Sequence, residues 1–240
     1  MAANPADLDT RIETLAQWMF ESKRLVVFTG AGISTESGLP DFRGPDGVWT
    51  RRDKGLPPRP MDLDWSAVEP NEAHSAVVAL QEMGKLGFLI SQNVDNLHLK
   101  SGIRPELLAE LHGNIALLRC PRCEETLPRS AGVDRCSCGG RLASSIVNFG
   151  DQLPTKDLTE SYEHSQNCDL FIVVGSSLVV TPAADMPRVA LETGARLVIV
   201  NQGETPFDRL AHLRFHESAG EVLPNAVWML KEMLEVRTER

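Results

Sequence analysis

The chain has 240 residues, 42% hydrophobic and 24% charged, a balance that supports a full core in one large α/β domain carrying a small insertion. Its net charge of −9, from 24 basic against 33 acidic residues, excludes a uniformly basic surface, so direct nucleic-acid binding is not expected. No stretch reaches the ~18–20 consecutive apolar residues of a membrane span, and residues 1–11 lack the basic-then-apolar pattern of an export signal.

Leu8, Ile12, Leu15 and Met19 recur at helical spacing and predict an amphipathic helix. The β-rich run at 25–28 meets Gly30-Ala31-Gly32, which predicts strand, glycine turn and helix, the opening of a βαβ unit. Residues 40–70 are rich in Pro, Gly, Asp and Arg and show no periodicity. Their basic group, Arg51, Arg52, Lys54 and Arg59, reads as a solvated loop or as a local binding patch. Asn71 caps a helix running to Gly84 with Ala73, Val77 and Leu80 inward, and 88–91 reads as a buried strand. The segment 115–144 breaks this rhythm. It resumes with the continuous apolar runs 170–174 and 197–200, which suit strands buried on both faces of a parallel sheet, and with helices at 187–192 and 222–235. The expected fold is therefore α/β, a Rossmann-like doubly wound parallel sheet formed by 1–43, 84–114 and 146–240. A loop and helical insertion occupies 44–83, and a small module occupies 115–145.

Five groups of residues could carry chemistry. The turn 30–35 could bring backbone amides to a pyrophosphate, or could be a tight βα turn with no ligand. A dehydrogenase fingerprint would add a third glycine where Thr35 stands, and an acidic residue ending the second strand; both are missing. Cys120, Cys123, Cys136 and Cys138 form two chelating pairs whose four thiolates suit a closed structural zinc site; buried free thiols or an iron–sulfur cluster are the alternatives. Cysteines bunched this way point to a reducing, cytoplasmic setting rather than to disulfides, and Cys168 reads as a small core residue. The polar run 91–98 follows a strand at the sheet edge where open α/β sheets bind ligands. His112, flanked by Gly113 between the two modules, offers an imidazole able to take a proton from a hydroxyl, though a lone histidine is often structural. Gly175-Ser176-Ser177 and Asn201-Gln202 end two further strands. Together these polar strand ends suit one long ligand lying across the sheet edge.

In this order the motifs GAGISTESGLPDFRG (30–44), QNVDNLH (92–98), LHGN (111–114), the paired cysteines, NFGDQLP (148–154), GSSLVVTPAADMP (175–187) and VNQ (200–202) resemble the sirtuin family. PDFRGPDGVWT (40–50) is most similar to its class IV branch, as in bacterial or archaeal members. The resemblance implies NAD as co-substrate, structural zinc, acyl-lysine proteins as partners, and lysine deacylation that forms O-acyl-ADP-ribose. Protein mono-ADP-ribosylation is the alternative. It implies that His112 is the general base and that Asn93 acts with it. Gly30, Ala31, Gly32, Thr35, Asp41, Phe42, Arg43 and Trp49 would line the nicotinamide and phosphate side. Gln92, Asn93 and Asp95 would meet the nicotinamide ribose and carboxamide; Gly175, Ser176, Ser177, Asn201 and Gln202 would hold phosphate and adenosine, with Ala219 near the adenine. Val147, Phe149, Gly150 and Val179 would pair with the substrate peptide as an added strand.

Three positions depart from the family pattern: Val94 replaces a frequent isoleucine, the second cysteine pair is C-x-C, and Asp151 replaces a frequent glutamate. A Tyr and Arg pair for an acidic acyl chain is missing, since the only tyrosine is Tyr162, so a succinyl preference is not expected. A hydride-transferring dehydrogenase and a non-catalytic zinc-stapled binding module are the remaining readings.

Overall fold

The computed structural model describes residues 7–44, 46–57 and 64–238, so Arg59 of the basic group lies outside the described residues. Its strands are β1 (Leu25–Thr29), β2 (Leu86–Ser91), β3 (Leu108–Glu110), β4 (Leu117–Arg119), β5 (Thr126–Pro128), β6 (Ala143–Ser144), β7 (Leu170–Val174), β8 (Arg196–Val200) and β9 (Leu213–Phe215). The helices are α1 (Leu8–Glu21), α2 (Val48–Asp53), α3 (Glu72–Glu82), α4 (Leu97–Ser101), α5 (Thr155–Asn167), α6 (Met186–Glu192) and α7 (Ala219–Thr238).

Six strands form a parallel sheet in the order β3-β2-β1-β7-β8-β9. Side chains alternate across it with the two-residue period of a strand. Leu25, Val27, Leu89, Ile172, Val198 and Val200 face α1, α3 and α7. Val26, Phe28, Ile90, Phe171, Val173 and Ile199 face the other way, against α6 and the partly buried Leu158 and Tyr162 of α5. Two apolar layers explain why β1 and β7 are buried at every position and read as unbroken apolar runs. The fold is therefore a Rossmann-like doubly wound sheet. Strand order reverses between β1 and β7, which leaves a crevice beyond their carboxyl ends.

The small module is a three-stranded antiparallel sheet, β5-β4-β6, over a core of Cys120, Cys136 and Leu142. It meets the larger body at α5. Pro154 offers no side-chain cap there, and the Glu124 carboxylate instead accepts from Thr155 N and Lys156 N, each at 3.1 Å. Arg119 adds an ion pair to Asp157 at 2.9 Å.

The structure refines the sequence expectations at three places. The helix expected after the glycine turn is a 3-10 helix, Ala31–Ser37, and Gly38 stops it in the left-handed region at φ 89°. The span 44–83 is not one insertion: α2 lies outside the core, whereas Ala73, Val77 and Leu80 of α3 belong to the main core with β1, β2 and α7. The third is α5, absent from the sequence reading because its fully buried positions are Ser161 and Ser165, leaving only Leu158 and Tyr162 as a short, partly buried apolar pair. The serine hydroxyls donate to the carbonyls of Asp157 and Ser161, each at 2.7 Å.

Candidate functional site

The carboxyl ends of β1 and β7 touch through glycine backbone. Gly30 N donates to Val174 O at 3.0 Å and Gly32 N to Gly175 O at 2.8 Å. A Cβ on Gly32 would lie 2.6 Å from Gly175 Cα, and Gly175 itself sits at φ 64°, so side chains are excluded from this crossing. The N–H groups of Gly30 and Gly32 are engaged by Val174 O and Gly175 O, and the missing Cβ atoms allow the close approach of the two backbones. Ala31 opens the 3-10 helix, and Thr35 Oγ1 donates back to Gly32 O at 2.9 Å.

The segment after β2 closes over this turn. Asn93 Nδ2 donates to Gly30 O at 3.1 Å and to Ser34 Oγ at 3.3 Å, while Ser34 Oγ donates to Asp95 Oδ2 at 2.7 Å. Asp95 Oδ1 also accepts from Leu97 N at 2.9 Å. Asn93, Asp95 and Ser34 are all buried. Gln92 Nε2 donates to Ser176 Oγ at 2.8 Å, which joins the ends of β2 and β7. Below them Thr29 Oγ1 bonds Ser91 Oγ at 3.1 Å and His98 Nε2 at 2.9 Å, and His98 packs against His74 with ring centroids 5.1 Å apart. Burial pushes His98 down to about 4 and His74 to about 3, so both imidazoles are neutral at ordinary pH. Sequence reasoning missed Ser34, His74 and His98. Their signal was available in part, since Ser34 lies inside the glycine motif and His98 ends the 92–98 motif.

His112 follows β3 at the same edge, half-buried. Its Nδ1 lies 2.9 Å from Gln92 O. A carbonyl can only accept, so Nδ1 carries the proton and Nε2 keeps its lone pair. Burial holds the imidazole below the ordinary histidine range, offset in part by the Gln92 carbonyl, which leaves a neutral ring available as a base. The His112 carbonyl accepts from Val147 N at 3.0 Å. His112 is thereby tied both to the 92–98 segment and to the extended chain leaving the small module.

At the rim, Phe42 stacks on Trp49 at 6.0 Å between centroids, and Trp49 meets the edge of Phe149 at 6.1 Å. Asp41 O accepts from Val48 N and Phe42 O from Trp49 N, each at 2.9 Å, while Arg43 lies 3.5 Å from Asp53. Phe149 is 80% exposed and Val179 50% exposed, unusual for apolar side chains, and Gly150 sits at φ 92°.

Beyond β8, Arg214 donates to Asn201 O at 2.5 Å, Gly203 O at 2.6 Å and Asp208 Oδ1 at 2.9 Å. This guanidinium, not singled out in the sequence, shapes the turn that presents Asn201 and Gln202. Ser177 is half-buried beside that edge, and Ala219 is buried at the start of α7. There Gly220 N donates to Glu36 Oε2 at 2.8 Å.

Cys120, Cys123, Cys136 and Cys138 place all four Sγ atoms within 4.8 Å of one another. Cys120 to Cys138 is 3.6 Å and Cys123 to Cys136 is 3.4 Å. A tetrahedral zinc with Zn–S near ~2.3 Å sets S···S at about 3.8 Å, so the donor set fits that ion and leaves no open coordination position. Cys168 lies apart, buried, with its thiol pushed up to about 12 by that burial. Among the described residues no helix is long and apolar enough to cross a membrane.

Residues 59–182 match the model of the Sir2 family. The chain is 40% identical to NAD-dependent protein deacylase 2 of Archaeoglobus fulgidus, over 97% of this chain and 100% of that relative. It is 43% identical to NAD-dependent protein deacetylase SRT1 of Oryza sativa subsp. indica, over 95% of this chain. It spans about half of that plant relative, 50% of its length. Among solved structures, "Sir2-p53 peptide-NAD+" superposes with a TM-score of 0.69 at 33% identity, covering 95% of this chain and 99% of that one. On this likeness along nearly its whole length, the chain belongs to the Sir2 family.

Proposed function

We propose that the protein is an NAD-dependent protein-lysine deacylase that forms O-acyl-ADP-ribose, with His112 as general base. The observation that carries this reading is the His112 tautomer: Nδ1–H is held by Gln92 O, which leaves Nε2 as the acceptor at the crevice edge. Bound NAD supplies an electrophilic ribose carbon when nicotinamide departs. This chain's residues do the rest. Asn93 and Asp95, held by Gly30 and Ser34, would meet the nicotinamide ribose and carboxamide from a fixed segment. His112 Nε2 would take a proton from a ribose hydroxyl so that the acyl group could transfer. Gly175, Ser177, Asn201 and Gln202 line the phosphate and adenosine side, and Ala31, Thr35, Phe42, Arg43 and Trp49 the nicotinamide side.

The rim aromatics and the segments with Val147, Phe149, Gly150 and Val179 receive an extended acyl-lysine peptide, reading backbone more than side chains. Zinc on the four cysteines is structural, in a reducing, cytoplasmic setting. The 115–145 segment acts as a unit around it. The dehydrogenase reading has less support, because Gln92 stands just after β2 and both Asp95 oxygens are engaged inside the protein. The test is an acetyl-lysine peptide with NAD, followed by mass spectrometry. O-acetyl-ADP-ribose supports the reading; ADP-ribose on a protein side chain, with no deacylation, overturns it in favour of mono-ADP-ribosylation.

A further inference from the structure

His112 sits at the apex of a five-residue loop whose two ends are bridged by side chains. Asn114 Nδ2 donates to Glu110 Oε1 at 2.7 Å, closing the base, and also to Asn96 Oδ1 at 2.9 Å. Gly113 N donates to Glu110 O at 2.9 Å with Gly113 at φ 79°; a Cβ there would lie 1.9 Å from Ser145 O. Ser145 completes the clasp: Asn114 N donates to its Oγ at 3.0 Å, and that Oγ donates to Asn114 O at 2.6 Å. The far side of the loop is tied to the same segment that orients the imidazole, through Ile115 N to Val94 O at 2.8 Å and Leu111 N to Ser91 O at 2.9 Å.

We propose that Glu110 is a positioning residue for His112: its buried carboxyl, by accepting from Asn114, closes the base of the loop and fixes the imidazole against Gln92 O. The proposal rests on the reading of His112 as the base. Glu110 touches no substrate and acts only through this geometry. The clasp has a consequence for pH. Burial pushes Glu110 up to about 8, so it is a neutral acid at ordinary pH and accepts from Asn114 without carrying charge. The groups facing it are Asp95 from the segment after β2, Asp157 from α5 and Arg119 from β4. Arg119 is engaged by Asp157 at 2.9 Å. Ionised Glu110 therefore meets two acidic neighbours with one shared cation, and the loop loosens as pH rises through about 8.

The test compares wild type, Glu110→Gln, Glu110→Ala and Asn114→Ala. Initial rates are measured with NAD and an acetyl-lysine peptide from neutral to alkaline pH. The His112 tautomer is read separately by ¹⁵N NMR on the protein alone, with the signal assigned through His112→Ala. We expect Glu110→Ala and Asn114→Ala to lower kcat by about tenfold to ~10²-fold with KM nearly constant, the range set by a misplaced catalytic group. Both should convert the Nδ1–H tautomer into a mixture. Glu110→Gln keeps a neutral acceptor, so it should restore the tautomer and most of kcat, and remove the fall in rate that wild type shows as pH passes about 8. A wild-type tautomer in both alanine variants overturns the proposal, as does an alkaline limb unchanged in Glu110→Gln. If wild type releases no nicotinamide from NAD, the functional reading fails, and the tautomer comparison still decides the positioning role.

Discussion

In the six-stranded sheet, β1 and β7 are buried at every residue, whereas β6 is exposed at both of its residues and β5 is exposed at Thr126 and Pro128. The larger body is held by apolar area: Phe28, Phe171 and Phe215 are fully inaccessible, and helices cover both faces of the sheet. The small module buries little beyond Cys120, Cys136 and Leu142. A segment that cannot bury enough apolar surface needs a staple, and the four thiolates are placed to provide one. The two kinds of construction meet at His112, which lies on the chain that leaves β3 for the module.

The largest effect should come from removing the staple. Chelation, or Cys120→Ser, should unfold the small module, because structural zinc binding contributes an apparent ~10–16 kcal/mol to modules of this kind. Amide hydrogen exchange should then accelerate across β4, β5 and β6 while β1, β7 and β8 stay protected. Uniform loss of protection would show that the two regions are not separately built.

Next in size is a core deletion in the larger body. Phe171→Ala leaves a cavity between β7 and Phe28, whose rings lie 6.0 Å apart, and should lower stability by about 3–5 kcal/mol in denaturant titration. The metal content of the module should not change. Loss of zinc in that variant would show that the module depends on the core of the larger body.

Acid should act on the larger body through its buried histidines. Their folded values, about 3 for His74 and about 4 for His98, lie below the ordinary 6.5. Between those values the unfolded chain binds protons that the native chain refuses. The stabilisation is therefore complete above 6.5 and is lost as pH falls through about 4 for His98 and about 3 for His74. Urea midpoints measured across that interval should decline; a flat profile would contradict the burial of this pair.

The smallest expected change is at a helix end. Asn71 Oδ1 accepts from Ala73 N at 3.0 Å and His74 N at 3.3 Å, and its Nδ2 donates to Ile33 O at 2.8 Å. Asn71→Ala should lower stability by about 1–2 kcal/mol. Because the same amide supports the 3-10 helix, activity should fall slightly more than in a variant that affects α3 alone.

What the sequence disclosed follows the same division. β1, β7 and β8 were legible because burial on both faces leaves unbroken apolar runs, and the cysteines because their chelating pairs are local. Asn71 announced α3 for the same local reason. By contrast α5 was hidden because two serines stand on its buried face, and β3 and β9 were too short, at three residues each, to show a period. The motifs marked the candidate residues, but the bonds among them were not legible. The contact of His112 with Gln92 O spans 20 positions and that of Asn93 with Gly30 O spans 63. The glycine turn was legible as a turn, but the contact of its Gly30 and Gly32 amides with the end of β7 was not, because no local pattern specifies that partner.

The most direct test of the account is a single comparison of wild type with His112→Ala, incubated with NAD and an acetyl-lysine peptide and read by mass spectrometry, with thermal unfolding in parallel. A general base at His112 predicts O-acetyl-ADP-ribose from wild type, a rate lower by about 10²–10⁴-fold in the variant, and closely similar unfolding of the two proteins. Equal rates of O-acetyl-ADP-ribose formation in the two proteins would contradict it.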